Sequence, residues 1–458
     1  MFLWARSCLG VPAGRRNIQL LMIPFVALSI IGWTLYAHKE HFVTYYSVQM
    51  GRFVHDEVYK ANSQISVSHG MYFSFLSLTS SSLMLELVSN FPFHTGDILP
   101  ATNISAYLDA IFYHRSAELP TFQCPIINGT RYRSLVESPG PSNPAIRYFI
   151  ALDLRQNLIL LPRLISSVVE AIQFLGPRHC MLSIVEGNSP DGTADVLSAL
   201  RPHLEALGIA YFFESSPIDP TKTERIISLA ALRNLALQPL LENRDKITQD
   251  TTIVFSNDVT ACPDDILELV YQRRFLKADM TCGMDWNGKR PRFYDIWISR
   301  GINGDSFVDV PNGDWNNVSE LFWNDKDTRA RYDARRPFQV FACWNGAAVF
   351  SAQPIIEGLR FRAAKKKGEC HQGEPQLFCK DMWYRNFGKI AVVPSVNLEY
   401  KLHMAMPLKE KMGFTSDIVS KQDLAGDVIE WKQDPPAEVK CISAWNKQYW
   451  VPWNESLS

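Results

Sequence analysis

Between residues 146 and 259 the sequence alternates short, β-branched apolar runs with segments of helical length, and this alternation leaves few architectures open. Residues 146–152 read as a strand, and 157–175 as an apolar helix closed by Gly176 and Pro177. A second strand is expected over 181–185. The helix expected over 193–207 carries Leu197, Leu200, Leu204 and Leu207 at helical spacing, with Gly208 placed to end it. A third strand (209–213), a third helix (224–240) and a fourth strand (251–255) continue the series. Strands alternating with helices imply an α/β domain with a mainly parallel, Rossmann-like sheet covered on both faces.

At 458 residues the chain has room for one large α/β domain with extensions, or for two ordinary domains. A formal net charge of -1 gives no reason to expect nucleic acid as a partner. Residues 18–37 contain no charged side chain and match the length of a bilayer-spanning helix. Arg6, Arg15 and Arg16 precede them, and Glu40 is the first acidic residue. The positive-inside rule then predicts a cytosolic tail (1–17), a single-pass anchor (18–37) in the lipid bilayer, and a lumenal remainder. A cleaved signal peptide is the alternative, but its apolar core is usually shorter. With Cys8 set aside from the nine cysteines, Cys124, Cys180, Cys262, Cys282, Cys343, Cys370, Cys379 and Cys441 lie beyond the anchor, an even set that permits disulfides of unspecified connectivity. Glycosylation sequons begin at Asn103, Asn128, Asn317 and Asn454. Residues 38–145 read as a stem ending in the Pro-rich cluster 137–144, 146–410 as the main domain, and 411–458 as a C-terminal extension.

The strand over 251–255 runs into Asn257 and Asp258. A carboxylate at the C-terminal tip of such a strand sits where open α/β sheets bind ligands, and it can hold a divalent cation against nucleotide phosphates. Asn and Asp are also ordinary turn residues, so the pair alone decides little. Upstream, Glu186 ends an apolar strand, and Asp191 and Thr193 can cap the next helix. Glu186 is placed to accept hydrogen bonds from a base or ribose. Arg233 and Asn234 interrupt an otherwise apolar helix, and a buried guanidinium needs an anion: a diphosphate, or a core carboxylate such as Glu224 or Asp258. Downstream, Asp285 and Trp297 lie in acid- and aromatic-rich segments, and Trp344, Asn345 and Gly346 form a turn that feeds a strand. Acids and amides suit sugar hydroxyls and aromatic faces suit sugar rings, although core packing accounts for most single tryptophans. Glu374 and Asp381 could contact acceptor hydroxyls, a Cys370–Cys379 disulfide could clip their segment, and His403 could join Asp258 at a metal. The Cys/His spacing matches no standard zinc pattern.

Together, residues 186–193, 232–234, 255–262, 293–300, 343–346 and 369–381 resemble the fungal α-1,3-mannosyltransferase family of cryptococcal capsule synthesis, which includes the capsule-associated proteins. The resemblance spans Arg147 to His403. It implies a type II Golgi membrane protein with a GT-A-like fold that uses GDP-mannose and a divalent cation, manganese or magnesium, to extend a mannan or oligosaccharide acceptor. By position, Asn257 and Asp258 stand for the Asp-x-Asp metal motif with one carboxylate missing, which His403 could replace. Glu186 would face the guanosine end and Arg233 the diphosphate, with Asp191, Asn234, Asn257 and Asp285 among the residues that bind the nucleotide sugar. Trp297, Trp344, Asn345, Gly346, Glu374 and Asp381 would line the mannose and acceptor side. An α-linked donor giving an α-linked product means retention, by front-face substitution or through a carboxylate nucleophile such as Glu374 or Asp381. The single-carboxylate tip also fits a non-catalytic factor for capsule polysaccharide synthesis or export. A nucleotidyltransferase is disfavoured by the anchor and by the lack of a Gly-rich, Lys-bearing loop.

Overall fold

In the computed structural model, which describes residues 99–457 apart from 116–118, 121, 137–145, 289–290 and 366–367, the apolar runs form one ten-stranded sheet. Its strands are β1 (Tyr148–Leu154), β2 (Cys180–Glu186), β3 (Ala210–Ser215), β4 (Thr252–Ser256) and β5 (Met280–Asn287), followed by β6 (Arg292–Phe293), β7 (Arg300–Gly301), β8 (Phe338–Ala342), β9 (Ala347–Ser351) and β10 (Ile390–Glu399). The spatial order is β3-β2-β1-β4-β9-β5-β10-β8-β7, with β6 on β5. Strands β3, β2, β1 and β4 pair in parallel, as do β5 and β10. The expected α/β domain with a mainly parallel sheet is therefore present.

The burial of β1 shows why its sequence is a continuous apolar run. Phe149 and Ala151 pack into the core on one face, and Tyr148, Ile150, Leu152 and Leu154 into the core on the other. Two expected helices are interrupted. The segment over 193–207 splits into Thr193–Ala199 and Arg201–Ala206, and the segment over 224–240 into Arg225–Ala236 and Gln238–Glu242. Pro202 and Pro239 stand in the first turn of each second piece, where a missing N–H costs nothing but continuation of the preceding helix fails.

Strand β9 runs antiparallel between β4 and β5. This reversal matters for the site. Ser256 pairs with Ala347, so the turn that precedes β9 returns to the edge where β4 ends.

The tail (1–17), the anchor (18–37) and stem residues 38–98 lie outside the described residues. Among the described residues, no helix is long and apolar enough to cross a membrane. The described residues of 99–136, expected in the stem, pack onto the α/β body. Cys124 is disulfide-bonded to Cys262, and the Arg131 guanidinium donates to both carboxylate oxygens of Glu268 at 2.6 Å. The Tyr148 hydroxyl donates to the Leu135 carbonyl at 2.7 Å. The C-terminal extension forms a hairpin of β11 (Glu438–Ala444) and β12 (Lys447–Pro452). Its Cys441 is bonded to Cys370, and Cys282 to Cys343. The expected Cys370–Cys379 clip does not form, because Cys379 is a buried thiol that donates to the Cys343 carbonyl at 3.4 Å.

Candidate active site

The C-terminal ends of β1, β4, β5 and β10 converge on one edge of the sheet, where a cleft of about 870 Å³ opens. Asp153 and Arg155 reach it from β1, Asn257 and Asp258 from β4, Asn287 from β5 and Tyr400 from β10. Arg225, Arg233 and Glu374 enter from helix starts and faces, and Tyr294, Asp295, Trp297 and Trp344 from loops. The expected carboxylate tip is thus in place. Asp258 accepts a hydrogen bond from the Asn157 amide at 3.1 Å, and the Asn257 N–H donates to the Gly346 carbonyl at 2.8 Å.

Arg233 is 6% exposed, and its Nε donates to Glu374 at 2.9 Å. Its other two nitrogens donate to Asn257 Oδ1, each at 3.3 Å. The guanidinium carbon lies 4.6 Å from the Trp344 ring, 5.2 Å from Phe255 and 5.7 Å from Phe361. Arg233 therefore has its core carboxylate. The partner is Glu374, rather than Glu224, which caps its own helix by accepting from Ile226 and Ile227. Trp344 is 1% exposed, and its indole N–H also donates to Asn257 Oδ1, at 2.9 Å. Together Arg233, Trp344 and Glu374 hold Asn257, and Asn257 fixes the strand tip that carries Asp258.

Carboxyl groups cluster on the floor, and burial raises those of Asp153, Asp258, Asp285 and Asp295. Burial pushes the Asp153 carboxyl up to about 7, against Arg233, with Glu374, Asp258 and Glu186 adding to the rise. Burial likewise raises Asp258, which the Asn157 hydrogen bond opposes. Asp285 accepts from the Tyr400 hydroxyl at 2.9 Å and from the Asp295 N–H at 3.2 Å, while Asp295 accepts from the Asn345 N–H at 2.8 Å. Burial and mutual repulsion hold Asp285 well above the ordinary carboxylate range, and burial raises Asp295. Cations sit at the rim: Arg155 pairs with Asp219 at 3.4 Å, and Arg225 and Arg292 are exposed. Sequence reading missed Asp153, Arg225, Arg292 and Tyr400. Asp153 had a signal, since it interrupts an apolar strand as Glu186 does; an exposed arginine has none.

Several expected site residues are occupied elsewhere. Glu186 accepts from the Ser189 N–H at 2.7 Å and the Ser215 hydroxyl at 3.2 Å, closing its own turn rather than lining the cleft. Asp191 caps the helix start through Thr193, at 3.1 Å to its N–H and 2.7 Å to its hydroxyl. The Asn234 amide clamps the Phe361 backbone at 2.8 and 3.0 Å. Asn345 is fully buried with φ 54°, bonded to Ser299 and Gly283. Gly346 has φ 83°, and an added Cβ would crowd Val259 and Asp285. Asp381 lies outside the cleft, held by both ends of the Arg362 guanidinium at 2.7 and 2.8 Å. His403 is exposed on the helix Leu402–Met412 and does not line the cleft. Of the expected acceptor residues, Trp297 alone is half-buried along the cleft wall, donating to the Ile442 carbonyl at 2.7 Å.

A divalent cation suits the donor chemistry in one respect: Asp258 and Asp153 are hard oxygen donors whose burial raises both carboxyls, and a bound cation would favour their ionised forms. Among the described residues, however, no three His, Cys, Asp or Glu side chains converge as a metal-binding set. The protein by itself offers Asp258 as the lead ligand, and a phosphate-bearing substrate would have to complete the shell.

Residues 147–381 match the family described as "Cryptococcal mannosyltransferase 1". The chain is 37% identical over 341 residues to the "Alpha-1,3-mannosyltransferase CMT1" of Cryptococcus neoformans var. neoformans serotype D, covering 68% of this chain and 73% of that protein. Among solved structures, it resembles Staphylococcus aureus TarS 1-349 at a TM-score of 0.34 and 12% identity, over 61% of this chain and 66% of that one. A "Mannosyltransferase PcManGT from Pyrobaculum calidifontis in complex with GDP-Man and Mn2+" aligns at a TM-score of 0.34 and 11% identity, over 65% of this chain and 67% of that one.

Proposed function

The chain belongs to the cryptococcal mannosyltransferase family, and we propose that it transfers mannose from GDP-mannose to a mannose-containing acceptor, forming an α-1,3 linkage with retention. It is a glycosyltransferase. The observation that carries the finer reading is the Asn257-Asp258 tip at the floor of a cleft whose rim bears Arg155, Arg225 and Arg292. Carboxylates below and guanidinium groups above suit a nucleoside diphosphate bound with a cation, in the manner of a GT-A enzyme.

Each side chain has a place in the chemistry. As the glycosidic bond breaks, negative charge develops on the departing diphosphate, and Arg225 at the rim is placed to stabilise it. A divalent cation, manganese or magnesium, held at Asp258 would supply further charge stabilisation to that leaving group. Arg233 acts through Asn257, since its guanidinium is already committed within the protein. Of the two carboxylates considered as nucleophiles, Glu374 lines the cleft and Asp381 does not, so retention proceeds at the front face or through Glu374. The family's capsule context and the uncharged segment 18–37 support an anchored Golgi enzyme working on the lumenal side. Three disulfides among the described residues agree with that compartment.

The test is direct. Full-length protein in detergent, given GDP-mannose, manganese and α-mannobiose, is expected to yield a trisaccharide detectable by mass spectrometry and lost on chelation. GDP binding without product from any mannose acceptor would favour the non-catalytic export-factor reading.

A further inference from the structure

One wall of the cleft carries two tryptophans that the catalytic floor does not use. Trp315 is 43% exposed and Trp445 is half-buried; both line the cleft, and their rings meet edge to face at 4.7 Å. The tryptophans buried or half-buried in the body of the α/β domain have bonded indole N–H groups, Trp286 to Asn397, Trp297 to Ile442, Trp344 to Asn257 and Trp383 to Phe341, whereas among the described residues those at the surface, such as Trp323 and Trp450, do not. The N–H groups of Trp315 and Trp445 have no hydrogen-bond partner among the described residues. What distinguishes this pair from exposed tryptophans such as Trp323 and Trp450 is its place inside the binding cleft, where a ligand can cover the rings.

The pair is also held rigidly. Asn312 and Gly313 both adopt left-handed backbone conformations, φ 51° and 77°, and a Cβ on Gly313 would come within 3.2 Å of Trp445. The Gln448 amide donates to the carbonyls of Val310 and Trp445, each at 2.8 Å. Lys440 bridges Asp305 at 3.1 Å and Asp309 at 2.9 Å, and the Cys370–Cys441 disulfide ties the hairpin to the segment leading into Glu374. The C-terminal hairpin and the loop after β7 are thus fastened together with the two rings at their junction.

The sheet order sets which part of a substrate meets them. Asp153 lies on β1 and Arg155 just after it, Asp258 follows β4, and Trp315 lies on the loop after β7, the last strand in the sheet order, with Trp445 in the hairpin fastened to that loop. The rings therefore approach the cleft from elements at the β7 edge of the sheet, and Asp153 and Arg155 from β1. A hexose presents an apolar C–H face with hydroxyl acceptors around its edge, the complement of an indole face with a free N–H. We infer that Trp315 and Trp445 form a subsite for the second sugar ring of the acceptor, so that the enzyme extends an oligosaccharide in preference to a single sugar. This rests on the mannosyltransferase reading for the identity of the sugar, but not for the existence of the platform.

The experiment compares the full-length wild type with Trp315→Ala and Trp315→Phe, using α-mannobiose and methyl α-mannoside as acceptors. Trp315→Ala is expected to raise KM for mannobiose by about tenfold, the size of one lost aromatic contact. KM for GDP-mannose and for the monosaccharide should stay unchanged, and Trp315→Phe should retain most of the preference. An unchanged mannobiose KM overturns the subsite, as does a change that falls on GDP-mannose, which would assign the rings to the nucleotide. Mannobiose titration followed by tryptophan fluorescence reads the platform without turnover. A wild-type response that Trp315→Ala loses, in a protein that forms no product, would keep the subsite and remove the transfer reading. No wild-type response overturns the subsite.

Discussion

Arg233 Nε lies 2.9 Å from Glu374 Oε1, and this contact joins the helix Arg225–Ala236 to the helix Glu374–Tyr384 directly beneath the strand tip that bears Asp258. Both side chains are almost fully buried, at 6% and 3% exposure. Truncating one partner leaves the other charge unpaired in a poorly solvated site. Glu374→Ala is expected to cost roughly 3–5 kcal/mol of stability in denaturant unfolding. The double variant Arg233→Met with Glu374→Gln should recover most of that loss, because no unpaired charge remains buried. Equal destabilisation of the single and double variants would mean that the pair is not the source of the cost.

The Asp258 carboxylate accepts a hydrogen bond from the Asn157 amide, and Arg233 and Arg225 favour its charged form. Asp258→Asn keeps the shape and that contact while removing the charge. Transfer should fall by at least about a hundredfold, the scale of losing one preorganised electrostatic group. The melting temperature should hold or rise, since a buried carboxylate held above its ordinary range is a burden on the fold. A variant retaining full activity would remove Asp258 from the catalytic account.

The floor carboxylates give a pH dependence with a definite sign. Asp153 moves from an ordinary 3.8 up to about 7 on folding, so the folded protein keeps a proton that the unfolded chain releases. Its contribution to stability is complete below the unfolded value and is lost as pH rises through the folded one. Wild-type stability should therefore decline from about pH 4 to about pH 7, and Asp153→Asn should flatten that decline in thermal scans. Asp258, Asp285 and Asp295 shift in the same direction and would leave part of the slope behind. An identical slope in the variant would show that Asp153 does not titrate in this range.

What could be read from sequence follows the range of the interactions. The strands β1, β2 and β4 were legible because each is an apolar run buried on both faces, and a run of that kind declares itself locally; β3, at the sheet edge and only partly buried, was legible from its short apolar run. The Asn257-Asp258 tip was legible for the same reason, since it ends such a run. The partner of Arg233 was not, because Glu374 is 141 residues away and any core carboxylate would have served. Glu186 misled: a carboxylate on an apolar strand looks like a ligand group, yet it closes its own turn through Ser189 and Ser215. The breaks at Pro202 and Pro239 were visible as prolines and outweighed by leucine periodicity. Strand β9 could not be oriented from sequence, because reversing a buried strand changes none of its apolar pattern.

The sequons supply the remaining prediction. Asn103, Asn317 and Asn454 are exposed on the described surface, while Asn128 is half-buried, with its side-chain oxygen accepting from the Arg131 N–H at 3.2 Å. A lumenal body would meet the glycosylation machinery, and the three exposed asparagines present their amides to solvent. Treatment of the protein from its native host with an N-glycan-removing amidase should lower its apparent mass. Peptide mapping should locate the glycans at these three positions, with Asn128 least occupied. Sequential Asn→Gln changes should then remove the shift in steps. No shift in the wild type would count against the lumenal orientation, because a chain with three exposed sequons that passed through that compartment should carry sugar.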